Sequence, residues 1–100
     1  MIPTLRTNRL TLGPFEMSHF EAFADFAAGP RSTYLGGPTT DRRDAWDSCM
    51  IHLGHWQARG YGAFFATETA TGKPAGRFSI WHPITLEEPE LSWVVFDGFE

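Results

Sequence analysis

One hundred residues with 42% hydrophobic and 15% aromatic content suffice for one modest core, and so for one domain or part of one. A net charge of -4 with no run of like charges argues against non-specific binding to nucleic acid or membrane surfaces, both of which need basic patches, and it fits an electropositive partner better. Cys49 is the single cysteine, which excludes an internal disulfide; the N-terminus lacks a signal peptide's apolar core and no apolar run could span a bilayer, so a soluble, cytoplasmic protein is expected.

Leu10 and Leu12 alternate with Arg9 and Thr11 ahead of Gly13-Pro14, which predicts a short half-buried strand. Ser18-His19-Phe20-Glu21 has capping-box spacing, and Phe20, Phe23, Ala24 and Ala27 follow as an apolar stripe. A helix is therefore expected to begin at Ser18 and to end at Gly29-Pro30, with Gly29 in the left-handed conformation. Residues 31–40 contain Gly36-Gly37-Pro38 and several hydroxyls, and read as a loop free to carry function. A second helix from about Asp41 places Trp46, Cys49, Met50, Leu53 and Trp56 on one face and ends at Gly60 and Gly62. Gly54 inside it costs about 1 kcal/mol relative to alanine, which points either to close packing there or to a different boundary.

From residue 63 the hydrophobic period changes. Residues 63–69 are rich in aromatic and β-branched side chains, 70–73 read as a turn, and 76–82 resume extended structure, which together make a hairpin. Pro83 and Pro89 bracket an acidic connector. Residues 90–96 form the last predicted strand, with Leu91, Trp93 and Val95 on one face and Glu90, Ser92, Val94 and Phe96 on the other. The expected fold class is α+β, in the order β-α-α-β-β-β, without internal repeats.

Four segments in this order carry a resemblance. Thr7-Asn8-Arg9-Leu10-Thr11-Leu12, Tyr34-Leu35-Gly36-Gly37-Pro38, Gly60-Tyr61-Gly62 and Glu90-Leu91-Ser92-Trp93-Val94-Val95 resemble the N-terminal half of the GNAT superfamily of acyl-CoA N-acyltransferases, in particular its ribosomal-protein N-acetyltransferase-like branch. Gly13 stands where that branch usually has arginine, and Ser92 where it usually has glycine. The resemblance implies a mainly antiparallel sheet and transfer of an acetyl group from the cosubstrate acetyl-CoA to a primary amine, either a protein N-terminus or a small molecule. It also implies that residues 1–100 are a single partial domain on the acceptor side. The glycine-rich loop that would open a helix and hold the coenzyme's pyrophosphate is not found among them, so the segment alone is expected to be inactive.

By resemblance, Glu90 is the catalytic base that deprotonates the amine through water; the competing reading is a solvated residue at a strand end. Trp93, Val94 and Val95 would meet the coenzyme, the valines through backbone N–H groups that bond pantetheine and polarise the thioester carbonyl, against the competing reading of an ordinary paired strand. Tyr34, Gly36 and Gly37 would line the acceptor pocket. Cys49, His52 and His55 recur at i, i+3 and i+6, but that progression drifts around the helix and no fourth ligand is apparent, so no metal site is expected. The alternative to an enzyme is a non-catalytic α+β binding module. The open edge of the last strand is expected to make the isolated segment aggregate or bind a second chain, a homodimer being one such arrangement.

Overall fold

The computed structural model describes residues 2–100; the side chain of Tyr34, expected in the acceptor pocket, lies outside the described residues. Five antiparallel strands form one sheet in sequence order: β1 (Leu5–Arg6), β2 (Leu10–Gly13), β3 (Ala63–Glu68), β4 (Pro74–Trp81) and β5 (Glu90–Val95). Two helices, α1 (Phe20–Ala28) and α2 (Arg42–Arg59), are inserted between β2 and β3. The order is therefore β-β-α-α-β-β-β. The added strand β1 is two residues long, too short for a hydrophobic period to reveal, and is held by pairing Leu5 with Leu12 and Arg6 with Thr11.

The start of α1 differs from expectation. Ser18 is exposed and lies inside a 3-10 turn, Met17–His19, that precedes the helix. The reciprocal contact belongs to Glu16 and His19: the Glu16 N–H donates to His19 Nδ1 at 2.9 Å. That bond leaves the ring proton on Nε2, which donates to Thr67 Oγ1 on β3 at 3.0 Å. A buried imidazole thus replaces the expected serine cap, because it can satisfy the orphan N–H and anchor the turn to the sheet together. Gly29 is also not left-handed; its φ of -94° and ψ of 165° are extended, and the chain continues into a second 3-10 turn, Pro30–Leu35. The left-handed residue is Gly36, at φ 93°, where a side chain would be strained.

The second helix starts where expected: Asp41 caps α2 by accepting the Arg43 N–H at 2.8 Å, and Gly60 ends the helix with its N–H on the Trp56 carbonyl. The helix runs through Gly54, which faces open space, so neither close packing nor a boundary explains that glycine. Its buried stripe is Ala45, Cys49, His52 and His55. Trp46 was expected within the stripe but is 37% exposed, because positions 45, 49 and 52 point at the sheet and 46 falls on the flank. From there its ring covers Phe20 edge-on, centroids 5.8 Å apart.

Both helices cover one face of the sheet. Phe15, Phe20, Phe23 and Phe26 meet Phe65 of β3 and Phe96 just beyond β5, with Phe15 against Phe65 at 5.2 Å and Phe23 against Phe96 at 6.3 Å, both edge-on. The opposite face carries Ile80, Leu91 and Trp93 in the open.

Candidate functional site

A cleft of about 430 Å³ opens between the C-terminal half of α1, the Pro30–Leu35 turn with Gly36 and Gly37, the N-terminal half of α2, and the helix-facing side of β4 and β5. Its loop wall is tightly held. Buried Ser32 donates to the carbonyls of Ala27 and Gly29 at 3.0 and 2.8 Å, Gly37 packs directly on the Ser32 side chain, and the Thr39 N–H reaches back to the Ala27 carbonyl at 2.8 Å. Next along the wall, Thr39 Oγ1 donates to Asp44 Oδ2 at 2.9 Å.

The register of β4 on β5 sets the sheet side of the cleft. Arg77 pairs with Val94, Ser79 with Ser92 and Trp81 with Glu90, and all six turn toward the helices. Glu90 is exposed at one end of this row, and Arg77, only 5% exposed, lies toward the other. The Arg77 guanidinium sits 5.4 Å from the Phe23 ring, and among the described residues it makes no hydrogen bond or ion pair; its Nε is buried without a partner. Burial lowers its pKa to about 10, so the group stays charged at neutral pH. His52 lies close by with Nδ1 likewise unpartnered, and burial, then Arg77 and His55, hold it down at about 3, so it is neutral.

Glu90, Gly36 and Gly37 thus line one cleft. Trp93 lies elsewhere: its side chain is 60% exposed and lines a separate groove of about 240 Å³ on the outer face, with Ile80 and Leu91. Val94 is a core side chain, 1% exposed. Backbone direction separates the three coenzyme candidates further. The Phe96 N–H bonds the Ala75 carbonyl, so by alternation residues 90, 92 and 94 turn their polar groups to β4 while 91, 93 and 95 turn theirs to the open edge. The Val94 N–H is therefore spent on the sheet, and the groups facing outward are those of Trp93 and Val95. Arg31 Nη2 already holds the Val95 carbonyl at 2.7 Å, and Arg31 Nη1 pairs with Asp97 at 2.8 Å.

His55 and His82 have settled roles. His55 donates through Nδ1 to the Tyr61 carbonyl at 2.8 Å and accepts the His82 N–H on Nε2 at 2.9 Å, which leaves no lone pair for a metal. His82 is likewise committed, through Nε2 to the Leu86 carbonyl at 3.0 Å and through Nδ1 to the Tyr61 hydroxyl at 2.9 Å. Burial pushes the Cys49 thiol up to about 11, so it remains protonated and is no nucleophile. Among the described residues no cluster of three His, Cys, Asp or Glu side chains could hold a metal ion.

Arg77 is not legible as a site residue in the sequence, because alternation along β4 suggests that the apolar Phe78 and Ile80 face the core. His52 was recoverable from its i+3 spacing to Cys49, the same spacing that was weighed for a metal.

The family model of the acetyltransferase (GNAT) domain matches residues 9–100. Among solved structures, the chain is similar to an acetyltransferase from Agrobacterium tumefaciens strain C58, 42% identical with a TM-score of 0.87, over 100% of this chain and 58% of that one. It also shares its fold with a protein from Bordetella pertussis assigned to the GnaT acetyltransferase family, 20% identical with a TM-score of 0.80, over 98% of this chain and 62% of that one. The chain thus spans less than two thirds of either. No curated protein matches it significantly.

Proposed function

The chain belongs to the GNAT acetyltransferase family, and from that premise we propose that residues 1–100 form the acceptor side of an N-acetyltransferase that moves an acetyl group from acetyl-CoA to a primary amine. The observation that carries the reading is the cleft in which Glu90, at the head of β5, faces the rigid Gly36-Gly37 wall. An amine entering this cleft arrives protonated, and in this reading Glu90 takes that proton directly or through one water. As the C–N bond forms, the thioester C–S bond breaks and the sulfur leaves with a proton. The oxygen charge that develops on the carbonyl needs N–H donors, and the open edge of β5 offers those of Trp93 and Val95. The cosubstrate's thioester would reach the amine along this edge, while Val94 holds the strand in register from below.

The acceptor is a protein N-terminus or a small amine; the segments Tyr34 to Pro38 and Glu90 to Val95 favour the ribosomal-protein N-acetyltransferase-like branch. No helix among the described residues is long and apolar enough to cross a membrane. Incubating the full-length protein with acetyl-CoA and a panel of primary amines, and following release of the free thiol, tests the proposal. Amine-dependent release is expected. No release with any amine, together with no acetyl-CoA binding, would replace the enzyme with a non-catalytic binding module.

A further inference from the structure

Charge in the cleft is segregated. Its mouth carries the carboxylates of Asp44 and Glu90, whereas its interior carries one cation, Arg77, buried to 5% exposure with no partner among the described residues. An unpaired buried charge is expensive, and replacing it with an apolar side chain would be easy at a strand position ringed by phenylalanines, so its presence calls for a counter-charge. Asp44, the other carboxylate of the lining, accepts from the Thr39 hydroxyl and makes no ion pair with Arg77. His52, neutral beside Arg77, brings a second orphan nitrogen to the same spot and no charge of its own. Arg77 and His52 both line the cleft, and a guanidinium with no protein acceptor there offers N–H donors to an anionic oxygen pair.

We infer that the interior of this cleft is a carboxylate site, in which Arg77 binds a ligand carboxylate beside the neutral His52 while the amine lies nearer Glu90. The proposal deepens the acyltransfer reading and rests on it for the ligand's amine, though not for its carboxylate. Along the row of paired residues Arg77 and Glu90 are separated by four positions, roughly 13 Å of strand before the two side chains reach toward each other. That span suits a ligand that carries the opposite charges at its two ends. The carboxylate could come from the acceptor, as in a short amino acid or peptide acid, or from an acyl group that ends in one.

Calorimetric titration of the full-length protein separates the two sources. Diglycine is compared with diglycinamide, which lacks the acid, and succinyl-CoA with butyryl-CoA, which lacks the terminal carboxylate. In one of these pairs the carboxylate member should bind about tenfold tighter or more, as expected for a charge-assisted hydrogen bond. A preference in the first pair assigns the carboxylate to the acceptor, and one in the second assigns it to the acyl group. The preference should vanish in Arg77→Gln and persist in part in Arg77→Lys. Should Arg77→Gln fail to fold, the Nε–H resonance of Arg77 in the unaltered protein provides the same test, since it should move when the preferred ligand is added. No preference in either pair, a preference that survives Arg77→Gln, or an unmoved Nε–H resonance would overturn the inference. Binding is read without turnover, so a protein that transfers no acetyl group yet selects carboxylates would refute the enzymatic reading and leave this one standing.

Discussion

His52 is a buried base that stays unprotonated, and this has a measurable cost in acid. Burial first, and the neighbouring Arg77 charge second, lower its folded pKa to about 3, while the unfolded chain titrates near its ordinary value of about 6.5. Between those values the unfolded state binds a proton that the folded state does not. Stability from this group is therefore complete above pH 6.5 and is lost as pH falls, by up to about 1.4 kcal/mol per pH unit. His19, lowered chiefly by burial, acts with the same sign. The urea midpoint should fall between pH 7 and pH 5, and His52→Gln should flatten that fall; a midpoint constant over this range in the unaltered protein would show that neither ring is held neutral. Both histidines were visible in the sequence as residues beside an apolar stripe. Their tautomers and partners were not, since these depend on contacts such as His19 with Thr67, 48 positions away.

At the scale of elements, the caps give clear expectations. Ser18→Ala should leave the denaturation midpoint nearly unchanged because Ser18 is exposed and caps nothing, whereas Asp41→Ala should cost about 1 kcal/mol through loss of the bond to the Arg43 N–H. Gly54→Ala should stabilise α2 by up to about 1 kcal/mol, since an added methyl meets open space in mid-helix. Gly76→Ala should do the reverse, at roughly 1–3 kcal/mol, because its methyl would run into the Val94 carbonyl oxygen across the strands. Chemical denaturation of the four variants checks all of these. The elements legible in the sequence were those with a strong period or unambiguous punctuation: α2 between Asp41 and Gly60, the β3–β4 hairpin, and the alternation of β5. The start of α1 was misread because Ser18-x-x-Glu21 satisfies a local rule that the Glu16–His19 pair, with its bond to β3, satisfies better. The inward face of β4 was hidden for a related reason: Arg77 and Ser79 sit inside against the local preference of Phe78 and Ile80, and sites for polar ligands are where such violations are expected.

For the molecule as a whole, the two faces of the sheet differ in kind. The helix side holds the aromatic core and the cleft, while the outer face leaves Leu91 at 74% and Trp93 at 60% exposure beside the open edge of β5. Residues 1–100 produced alone should therefore self-associate, which light scattering would check. A monodisperse monomer would oppose that expectation. Of the candidate site, Glu90, Gly36 and Gly37 are residues the sequence singles out, and the fold gathers them into one cleft; what pairing alone reveals is that Trp93 and Val95, rather than Val94, turn backbone groups to the open edge. The central claim is that Glu90 is the base of an acyl transfer carried out in this cleft. Its most direct test is the pH dependence of acetyl transfer by the full-length Glu90→Gln variant, whose amide keeps the shape and cannot accept the proton. A rate lowered by about a hundredfold, with a displaced pH profile and an unchanged KM for acetyl-CoA, is the predicted result. Turnover equal to that of the unaltered protein at every pH would contradict it.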